Sequence, residues 1–340
     1  MKNRGHFKWQ KKKAQGIGVV VFYSGKNAMA KKFLYITDPL DSLDIHFDTT
    51  LALMAEAASR GIESFACEIG DINVHDGKLH FHAAAVEIAK GYTKVPQYLS
   101  SKNNISADEF RVIFMRKDPP VDENFMASLF MLRCYDAEKT LFINDPDALL
   151  IANEKLFGQQ IASHLYPPTL VSSYKKDLLE FLAQHKKAVF KPLFGAGGSG
   201  VLVFEQGDLN VGSALEMLSA AFSRPVMAQA YVEKAREGDK RILLLGGEVL
   251  GAVLRVPDKS DHRANFHAGG SAKACKLTQK EYEICSHLRP YLLELGLHFV
   301  GIDVIDNFLT EINVTSPTCI LQMSEDLPGK VIDYIDHLIA

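Results

Sequence analysis

The sequence predicts an α/β protein: an open parallel-sheet lobe followed by a lobe of mixed α+β structure. Two observations support this prediction. Strand-like and helical segments alternate between residues 33 and about 150, and the regular alternation stops after Asn153. Beyond that point helices mix with strands that pair as hairpins, for example around Gly246-Gly247. The length of 340 residues exceeds one ordinary domain and fits two or three packed lobes.

The first lobe is predicted from a strand–helix–strand unit. Residues 31–39 have the pattern of a strand that ends in a loop, residues 49–60 have helical apolar spacing and stop at Gly61, and residues 62–69 form the next strand. Such a unit builds a parallel sheet. Three further elements are predicted, a strand at 112–115, a helix at 125–137 and a strand at 141–144.

The carboxyl ends of these strands carry polar residues. Asp38 follows the first strand, and Arg116 and Lys117 follow the strand at 112–115. Ligands of open α/β sheets bind beyond the carboxyl ends of the strands. We therefore expect a binding surface at this edge.

The expected domains are a first lobe at residues 29–150 and a second at 151–340, divided into a small lobe (151–235) and a large lobe (236–340). Residues 1–28 are interpreted as an extension outside the fold. The first 30 residues combine lysines, a short apolar run and an Ala-Met-Ala sequence at 28–30, and this combination is a poor match to a signal peptide. The alternative, which we favour, is that Met29 is the start and the upstream part has no role.

Composition excludes several classes of protein. The net charge of -3 does not call for nucleic acid or a membrane as partner, and no apolar run approaches the roughly 20 residues of a membrane span. Five widely spaced cysteines without a CxxC pair predict neither a disulfide framework nor a zinc site. A cytoplasmic location is expected.

A glycine-rich segment, KPLFGAGGSG at Lys191–Gly200, contains the spacing G-x-G-x-x-G. The dinucleotide fingerprint requires a helix after the glycines, whereas a strand follows here at 201–204, so that interpretation fails. A loop between two antiparallel strands can still wrap phosphates, because glycine lets backbone N–H groups approach closely. Lys191 adds a positive charge for phosphate. A plain glycine hairpin is the alternative.

The segment 301–313 carries three oxygen-bearing side chains, Asp303, Glu311 and Asn313. A two-residue turn would place the two carboxylates on opposite faces of the hairpin, whereas a three-residue turn at 306–308 would place them across from each other. The second register also collects the apolar side chains on one face, so we predict it. Two carboxylates and an amide oxygen suit Mg²⁺, which keeps waters and nucleotide phosphates as further ligands. A solvated polar face is the alternative.

Cationic and apolar residues flank these segments. The strand at 227–233 could pack on an adenine ring while its backbone pairs with the ring edge, although an ordinary core strand explains it equally well. Each of these cationic residues alone is more often a surface charge. Together with Asp239 and Asn265, and around a polar loop at 257–270, the cationic residues form a candidate site. These residues are Lys155, Lys240, Arg241, Arg255 and Arg263.

From residue 33 to 340 the chain resembles the ATP-grasp superfamily and, more closely, the bacterial glutathione synthetases. The motifs that carry the resemblance are MRKDPP at Met115–Pro120, NEKLF at Asn153–Phe157, the glycine loop at Lys191–Gly198, GDKR at Gly238–Arg241 and TEINVTSPTCI at Thr310–Ile320. The resemblance implies a pre-ATP-grasp, Rossmann-like first lobe followed by an ATP-grasp fold of two subdomains.

The resemblance also implies the reaction: ATP-dependent ligation of γ-glutamylcysteine and glycine through an acyl phosphate. The implied catalytic residues are Arg241, Arg255 and Lys191. The implied ATP-binding residues are Lys155, Lys191, Gly195, Gly197, Gly198, Gln229, Tyr231, Val232, Asp239 and Arg241. The implied substrate-binding residues are Arg116, Lys117, Arg255, Arg263, Asn265, Thr315 and Ser316. Asp303, Glu311 and Asn313 would hold Mg²⁺ or Mn²⁺, with two ions in the active complex.

The implied partners are these small molecules and further copies of the chain, in a dimer or tetramer. Two alternatives remain open. One is an ATP-grasp ligase that joins another acid and amine, such as a peptide-modifying glutamate ligase. The acidic hairpin at 301–313 does not distinguish such a ligase from a glutathione synthetase. The other is a non-catalytic ATP-binding protein of the same fold, which would be expected to lack a metal ligand or an arginine.

Overall fold

Three β-sheets organise the chain in the computed structural model, which describes residues 31–135, 139–195, 197–257 and 271–340. The first sheet contains β1 (Lys32–Ile36), β2 (Glu63–Cys67), β3 (Ile72–His75), β4 (Lys78–Glu87), β5 (Gln97–Tyr98), β6 (Asn103–Ser106), β7 (Val112–Met115) and β8 (Leu141–Ile143). Strands β2, β1, β7 and β8 are parallel neighbours, as the sequence predicts. Strand β4 adds antiparallel pairing to β2, β3, β5 and β6.

The helix between β1 and β2 forms as predicted. This helix, α1 (Thr49–Ser59), begins where Asp48 Oδ1 accepts a hydrogen bond from Leu51 N at 2.9 Å. It ends before Gly61, whose φ of 73° suits a residue without a Cβ. The next helix, α2 (Glu123–Leu132), ends earlier than the predicted residue 137, and residues 136–138 lie outside the described part of the chain.

The second sheet has a small core of its own. The elements of this part of the chain are α3 (Pro146–Ile151), α4 (Phe157–Ala162), β9 (Thr169–Ser172), α5 (Lys175–His185), β10 (Lys187–Pro192), β11 (Leu202–Glu205), α6 (Val211–Leu218) and β12 (Val226–Ala230). The strands of the sheet pair antiparallel in the order β11-β10-β12-β9. Two helices, α5 and α6, contribute buried side chains such as Leu178 and Leu215 to the core of this sheet.

The third sheet belongs to the last part of the chain. The elements of this part are β13 (Asp239–Leu245), β14 (Glu248–Val256), β15 (Ser271–Ala274), α7 (Gln279–Glu294), β16 (Phe299–Ile305), β17 (Phe308–Asn313), α8 (Ile320–Met323) and α9 (Leu327–Leu338). The sheet is antiparallel, in the order β15-β14-β13-β16-β17. Gly246 and Gly247, with φ of 57° and 76°, form the predicted tight turn between β13 and β14.

The turn of the β16–β17 hairpin corrects one prediction. Asp306 and Asn307 form a two-residue turn with φ of 46° and 65°, and Ile305 pairs with Phe308. Asp and Asn tolerate this left-handed conformation better than other side chains, which explains why they occupy it. The predicted three-residue turn at 306–308 is therefore wrong.

A β-bulge nevertheless restores the predicted pairing of the carboxylates. Val304 pairs with Leu309. The next pair joins Asp303 to Glu311. Thr310 is thus an extra residue on one strand, and its hydroxyl donates to the Asp303 carbonyl oxygen at 3.1 Å. The bulge, rather than the turn, places the two carboxylates opposite each other.

The first and third sheets share continuous cores. One cluster of buried side chains contains Leu34 of β1 together with Ile242 and Val300 of the third sheet. Helix α9 packs against α1, where Arg60 Nη2 donates to the Gly329 carbonyl oxygen at 3.0 Å. None of the helices in the described part of the chain is long and apolar enough to cross a membrane.

Candidate active site

A cleft of about 850 Å³ opens between the three sheets. All the predicted site residues of the second and third sheets and their loops that lie within the described ranges line it: Lys155, Lys191, Gly195, Gly197, Gly198, Gln229, Tyr231, Val232, Asp239, Arg241, Arg255, Asp303, Glu311, Asn313, Thr315 and Ser316. The structure therefore brings together residues that are distant in the sequence; for example, a hydrogen bond joins Thr315 to Glu154, which lies 161 positions earlier.

The acidic hairpin forms one wall of the cleft. Asp303 on β16 and Glu311 on β17 are directly opposed, and Asn313 lies two residues further along β17. Asn313 Nδ2 lies 3.4 Å from the Gly301 carbonyl oxygen, so the amide oxygen of Asn313 is the atom that this side chain could offer to a metal ion. Asp303 is 5% exposed, while the Glu311 side chain keeps 26% of its surface exposed.

Two arginines hold Asp303. Arg241 on β13 pairs with it bidentately, through Nε at 2.6 Å and Nη2 at 3.1 Å. Arg255 Nη2 lies 2.9 Å from the same carboxylate. Burial alone would raise the pKa of Asp303, but the two guanidinium groups lower it below its ordinary value. Asp303 is therefore a fixed anion.

Arg255 also pairs with Asp239, the residue across from it in the β13–β14 ladder. Both bonds, from Arg255 Nε and Nη2 to the two oxygens, are 2.7 Å long. Burial raises the pKa of Asp239 despite the neighbouring guanidinium group. The cleft thus contains a continuous network of two arginines and two aspartates.

Lys155 connects the acidic hairpin to the glycine loop. Its Nζ lies 3.0 Å from Glu311 Oε1 and donates to the Gly195 carbonyl oxygen at 2.6 Å. Only 5% of the residue is exposed. A buried ammonium group between the loop and the hairpin is well placed for an anion that lies between them.

Lys191 lies on β10, on the opposite side of the cleft. Its Nζ donates to Gln229 Oε1 at 2.6 Å, and Gln229 Nε2 donates to Thr169 Oγ1 at 3.2 Å. Burial lowers the pKa of Lys191, so a phosphate group beside it would restore its preference for the charged form. Tyr231 follows on the same wall, with Lys187 Nζ 4.2 Å from its ring centroid.

The glycine loop joins two antiparallel strands, β10 and β11, as predicted from the strand that follows it. Gly197, Gly198 and Gly200 have φ of 60°, 72° and 71°, a region that other residues avoid. A Cβ on Gly195 would lie 2.8 Å from Pro192 Cγ. Glycine is therefore required here by conformation and by close contact, and the dinucleotide interpretation stays excluded.

The first lobe supplies a third wall, and two predicted residues are not among those that line it. Arg116 is 3% exposed and lies behind the wall, where Nε donates to Thr50 Oγ1 at 3.1 Å. Its Nη1 and Nη2 have no hydrogen-bond partner among the described residues, and burial lowers its pKa. Lys117 Nζ pairs with Asp38 Oδ1 at 2.7 Å. Arg263 and Asn265 lie outside the described residues.

The cleft also contains acidic residues. Asp38, Asp48 and Asp118 line the first-lobe wall, and Glu154 lies beside Lys155. The sequence indicated Asp38 by its position after the first strand. It assigned no role to Asp118, although that residue follows the carboxyl end of a parallel strand in the same way. Asp48 caps α1, so the sequence gives it a structural role that hides its place in the cleft.

The chemistry of the acidic hairpin fits Mg²⁺. Asp303, Glu311 and Asn313 offer hard oxygen atoms on one wall, and such atoms suit this ion. Among the described residues no group of three or more His, Cys, Asp or Glu side chains is arranged to hold a metal ion by itself. A divalent cation here would complete its shell with water and nucleotide phosphates, as Mg²⁺ ordinarily does.

Two sheets that enclose a cleft, with a glycine loop on one and paired carboxylates on the other, define an ATP-grasp ligase. Solved structures support this fold. The D-cycloserine synthetase DcsG is similar with a TM-score of 0.64 at 18% identity, over 90% of this chain and 99% of that chain. The ATP-grasp ligase PsnB with a minimal precursor is similar with a TM-score of 0.61 at 16% identity, over 91% of this chain and 99% of that chain.

Within this class, the chain belongs to the prokaryotic glutathione synthetase family. The model of that family's N-terminal domain matches residues 32–149, and the model of its ATP-grasp domain matches residues 154–327. The chain is 41% identical to the glutathione synthetase of Synechocystis sp., over 86% of this chain and 93% of the relative. It is 36% identical to the glutathione synthetase of Escherichia coli (strain K12), over 88% of this chain and 96% of the relative.

Proposed function

We propose that this protein is a glutathione synthetase, which joins γ-glutamylcysteine to glycine and converts ATP to ADP and phosphate. One observation carries the proposal: phosphate-directed cations, the glycine loop and a pair of opposed carboxylates face a single cleft. Family membership supports the choice of substrates, which the cleft chemistry alone leaves open.

The reaction requires a carboxylate to become an electrophile. An oxygen of the cysteinyl carboxylate attacks the γ-phosphorus of ATP, and ADP leaves. The amine of glycine then attacks the acyl carbon, and phosphate leaves with the oxygen that came from the carboxylate. During the first step charge spreads over the phosphoryl oxygens, so fixed positive groups around them lower the barrier.

The cations of the cleft suit these oxygens. Lys155 and Lys191 bind the phosphates from two sides, and Arg241 stabilises the phosphoryl group in transit. Backbone N–H groups of the glycine loop cover the phosphates and exclude water from the acyl phosphate. Residues 229–232 hold adenine. Asp303, Glu311 and Asn313 would hold a divalent cation, Mg²⁺ or Mn²⁺, and two such ions in the active complex would supply further positive charge at the phosphates.

The substrates meet the opposite side of the cleft. Thr315 and Ser316 lie at its junction with the first lobe and contact the acceptor, while Arg255, Arg263 and Asn265 hold the peptide. Arg116 lies behind the wall, so we assign it a supporting role: it compensates the charge of Asp48. Lys117 likewise acts through Asp38, its ion-pair partner.

The test is an ADP-release assay with γ-glutamylcysteine, in which glycine and other amines are added in turn. We expect release of ADP that requires both γ-glutamylcysteine and glycine and that matches the glutathione formed. Glu311→Gln should abolish the release of ADP, because the hairpin loses one of its two carboxylates. The fold should stay intact, because the partly exposed site tolerates an amide. ADP release that demands another acid, such as a peptide, would reassign the enzyme, and absence of ADP release with every acid would indicate a binding protein.

We also propose a cytoplasmic homo-oligomer, a dimer or tetramer. The five cysteines are all free thiols, which is consistent with a reducing compartment. The assembly rests on the family resemblance, and sedimentation of the purified protein tests it: a single monomeric species at micromolar concentration would contradict it.

A further inference from the structure

A single oxygen of Glu154 gathers three hydrogen bonds at the end of the metal-binding strand. Its Oε1 accepts from Val314 N at 2.9 Å, from Thr315 N at 3.1 Å and from Thr315 Oγ1 at 2.8 Å. The backbone of Glu154 contributes a fourth bond, since its carbonyl oxygen accepts from Ile312 N at 3.0 Å. These bonds fall on both sides of Asn313.

The neighbouring residue extends the same connection. Lys155 pairs with Glu311 and donates to the glycine loop at Gly195. Two consecutive residues, Glu154 and Lys155, thereby contact residues 311, 312, 314 and 315, which flank Asn313 and include Glu311. The two segments are about 160 positions apart in the chain, so these non-covalent contacts fix how they lie relative to each other.

We propose that Glu154 is a positioning residue for the ligase reaction: it sets the distance between Lys155 and the metal-binding strand, and it orients Thr315. The inference rests on the proposed metal site. The chemistry requires only an accepting oxygen at Oε1, since all three side-chain bonds end on that atom. The negative charge of Glu154 is not needed for this role.

Two substitutions separate these contributions. Glu154→Gln keeps the accepting oxygen and removes the charge. Glu154→Met keeps the length of the side chain and removes the acceptor, which leaves the two backbone N–H groups without a partner. Glu281→Met is the control. Glu281 is also buried and accepts from a backbone N–H, that of Thr278 at 2.7 Å. It also pairs with Lys240 at 2.7 Å, and it is not among the residues that line the cleft.

The measurement is Mn²⁺ affinity by electron paramagnetic resonance in the presence of a non-hydrolysable ATP analogue, with thermal unfolding recorded alongside. We expect E154M to bind Mn²⁺ about 10- to 100-fold more weakly, as is usual when a residue that orients a metal ligand is lost. E154Q should stay close to the wild type. E281M should unfold at a lower temperature with unchanged Mn²⁺ affinity.

Wild-type Mn²⁺ affinity in folded E154M would overturn the proposal, as would an E154Q variant as weak as E154M. If E154M does not fold, the E154Q variant is tested by Mn²⁺ titration and by hydrogen exchange. Wild-type Mn²⁺ affinity together with protected backbone amides at Val314 and Thr315 in E154Q would support the role of Glu154. Loss of the affinity or of the protection would refute it. Mn²⁺ affinity is measured without the acid or the amine substrate. If the wild type forms no glutathione, the proposed substrates are wrong, but the proposed role of Glu154 is still tested by the Mn²⁺ affinities.

Discussion

At the scale of the residue, each carboxylate that we propose as a metal ligand is already paired with a cation of the protein. Asp303 contacts Arg241 and Arg255, and Glu311 contacts Lys155. A divalent cation alone must compete with these groups. Phosphate groups attract the same arginines and lysine, so a nucleotide would free the carboxylates for the metal. Metal and nucleotide binding should therefore be coupled.

Lys155→Met tests this competition. Without the ammonium group, Glu311 loses its ion pair, and Mn²⁺ no longer has to displace Lys155. We therefore expect Mn²⁺ to bind about tenfold more tightly in the absence of nucleotide, which corresponds to ~1.4 kcal/mol. The KM for ATP should rise. Mn²⁺ titration of the variant and of Lys187→Met, whose lysine lies beside Tyr231, provides the comparison; equal affinities in the two variants would contradict the competition.

Asp303 should also contribute to the pH dependence of stability. Its pKa in the folded protein lies below the ordinary value of 3.8, so its contribution is fully present above that pH and is lost as the pH falls through the lowered pKa. The free energy of unfolding should thus differ most between wild type and Asp303→Asn at neutral pH, and the difference should narrow below about pH 3.8. Urea unfolding at a series of pH values measures it, and a constant difference would contradict the assignment.

At the scale of the element, the acidic hairpin shows what a sequence pattern can and cannot determine. The alternation of apolar residues predicted correctly that Asp303 faces Glu311, because burial strongly selects register. The same pattern gave the wrong turn. A bulge at Thr310 and a longer turn satisfy the apolar alternation equally well, and only the left-handed φ values of Asp306 and Asn307 distinguish them.

The antiparallel strands β3 to β6 were not predicted for a different reason. Their residues do not alternate cleanly: β4 contains three consecutive alanines, and β6 is rich in asparagine. Their pairing comes from β4 bridging four other strands. Such context outweighs local propensity.

The glycine loop yields a prediction at this scale. Gly195→Ala would place a Cβ 2.8 Å from Pro192 Cγ and 3.2 Å from the Ser199 carbonyl oxygen, so the loop must shift together with the oxygen that Lys155 contacts. We expect the KM for ATP to rise about 10- to 100-fold with the fold intact. Gly70→Ala is the control, since its Cβ would meet nothing within 4 Å. An unchanged KM in the first variant would contradict the proposed role of the loop.

At the scale of the whole molecule, the sequence separated a first lobe from a second, but it could not predict how they join. The first and third sheets share buried clusters, whereas the second sheet has its own, smaller core. Shared cores arise from contacts between distant segments, such as α9 against α1, and no local pattern encodes them.

The core arrangement predicts unequal stability. The second sheet should open at a lower free energy than β1 or β16, because local opening follows the extent of buried contacts. A non-hydrolysable ATP analogue should raise protection in β10 and β12, since it would bind to Lys191 and Gln229 of these strands only while they are folded. Native-state hydrogen exchange measures both effects. A single opening free energy for all three sheets would contradict the prediction.

The central claim is that the cleft activates a carboxylate by phosphorylation, and one measurement tests it most directly. γ-Glutamylcysteine labelled with heavy oxygen in its cysteinyl carboxylate is converted by the enzyme with ATP and glycine, and the released phosphate is analysed by mass spectrometry. An acyl phosphate requires that one labelled oxygen leaves with each phosphate. Phosphate that carries no label while glutathione accumulates would contradict the account.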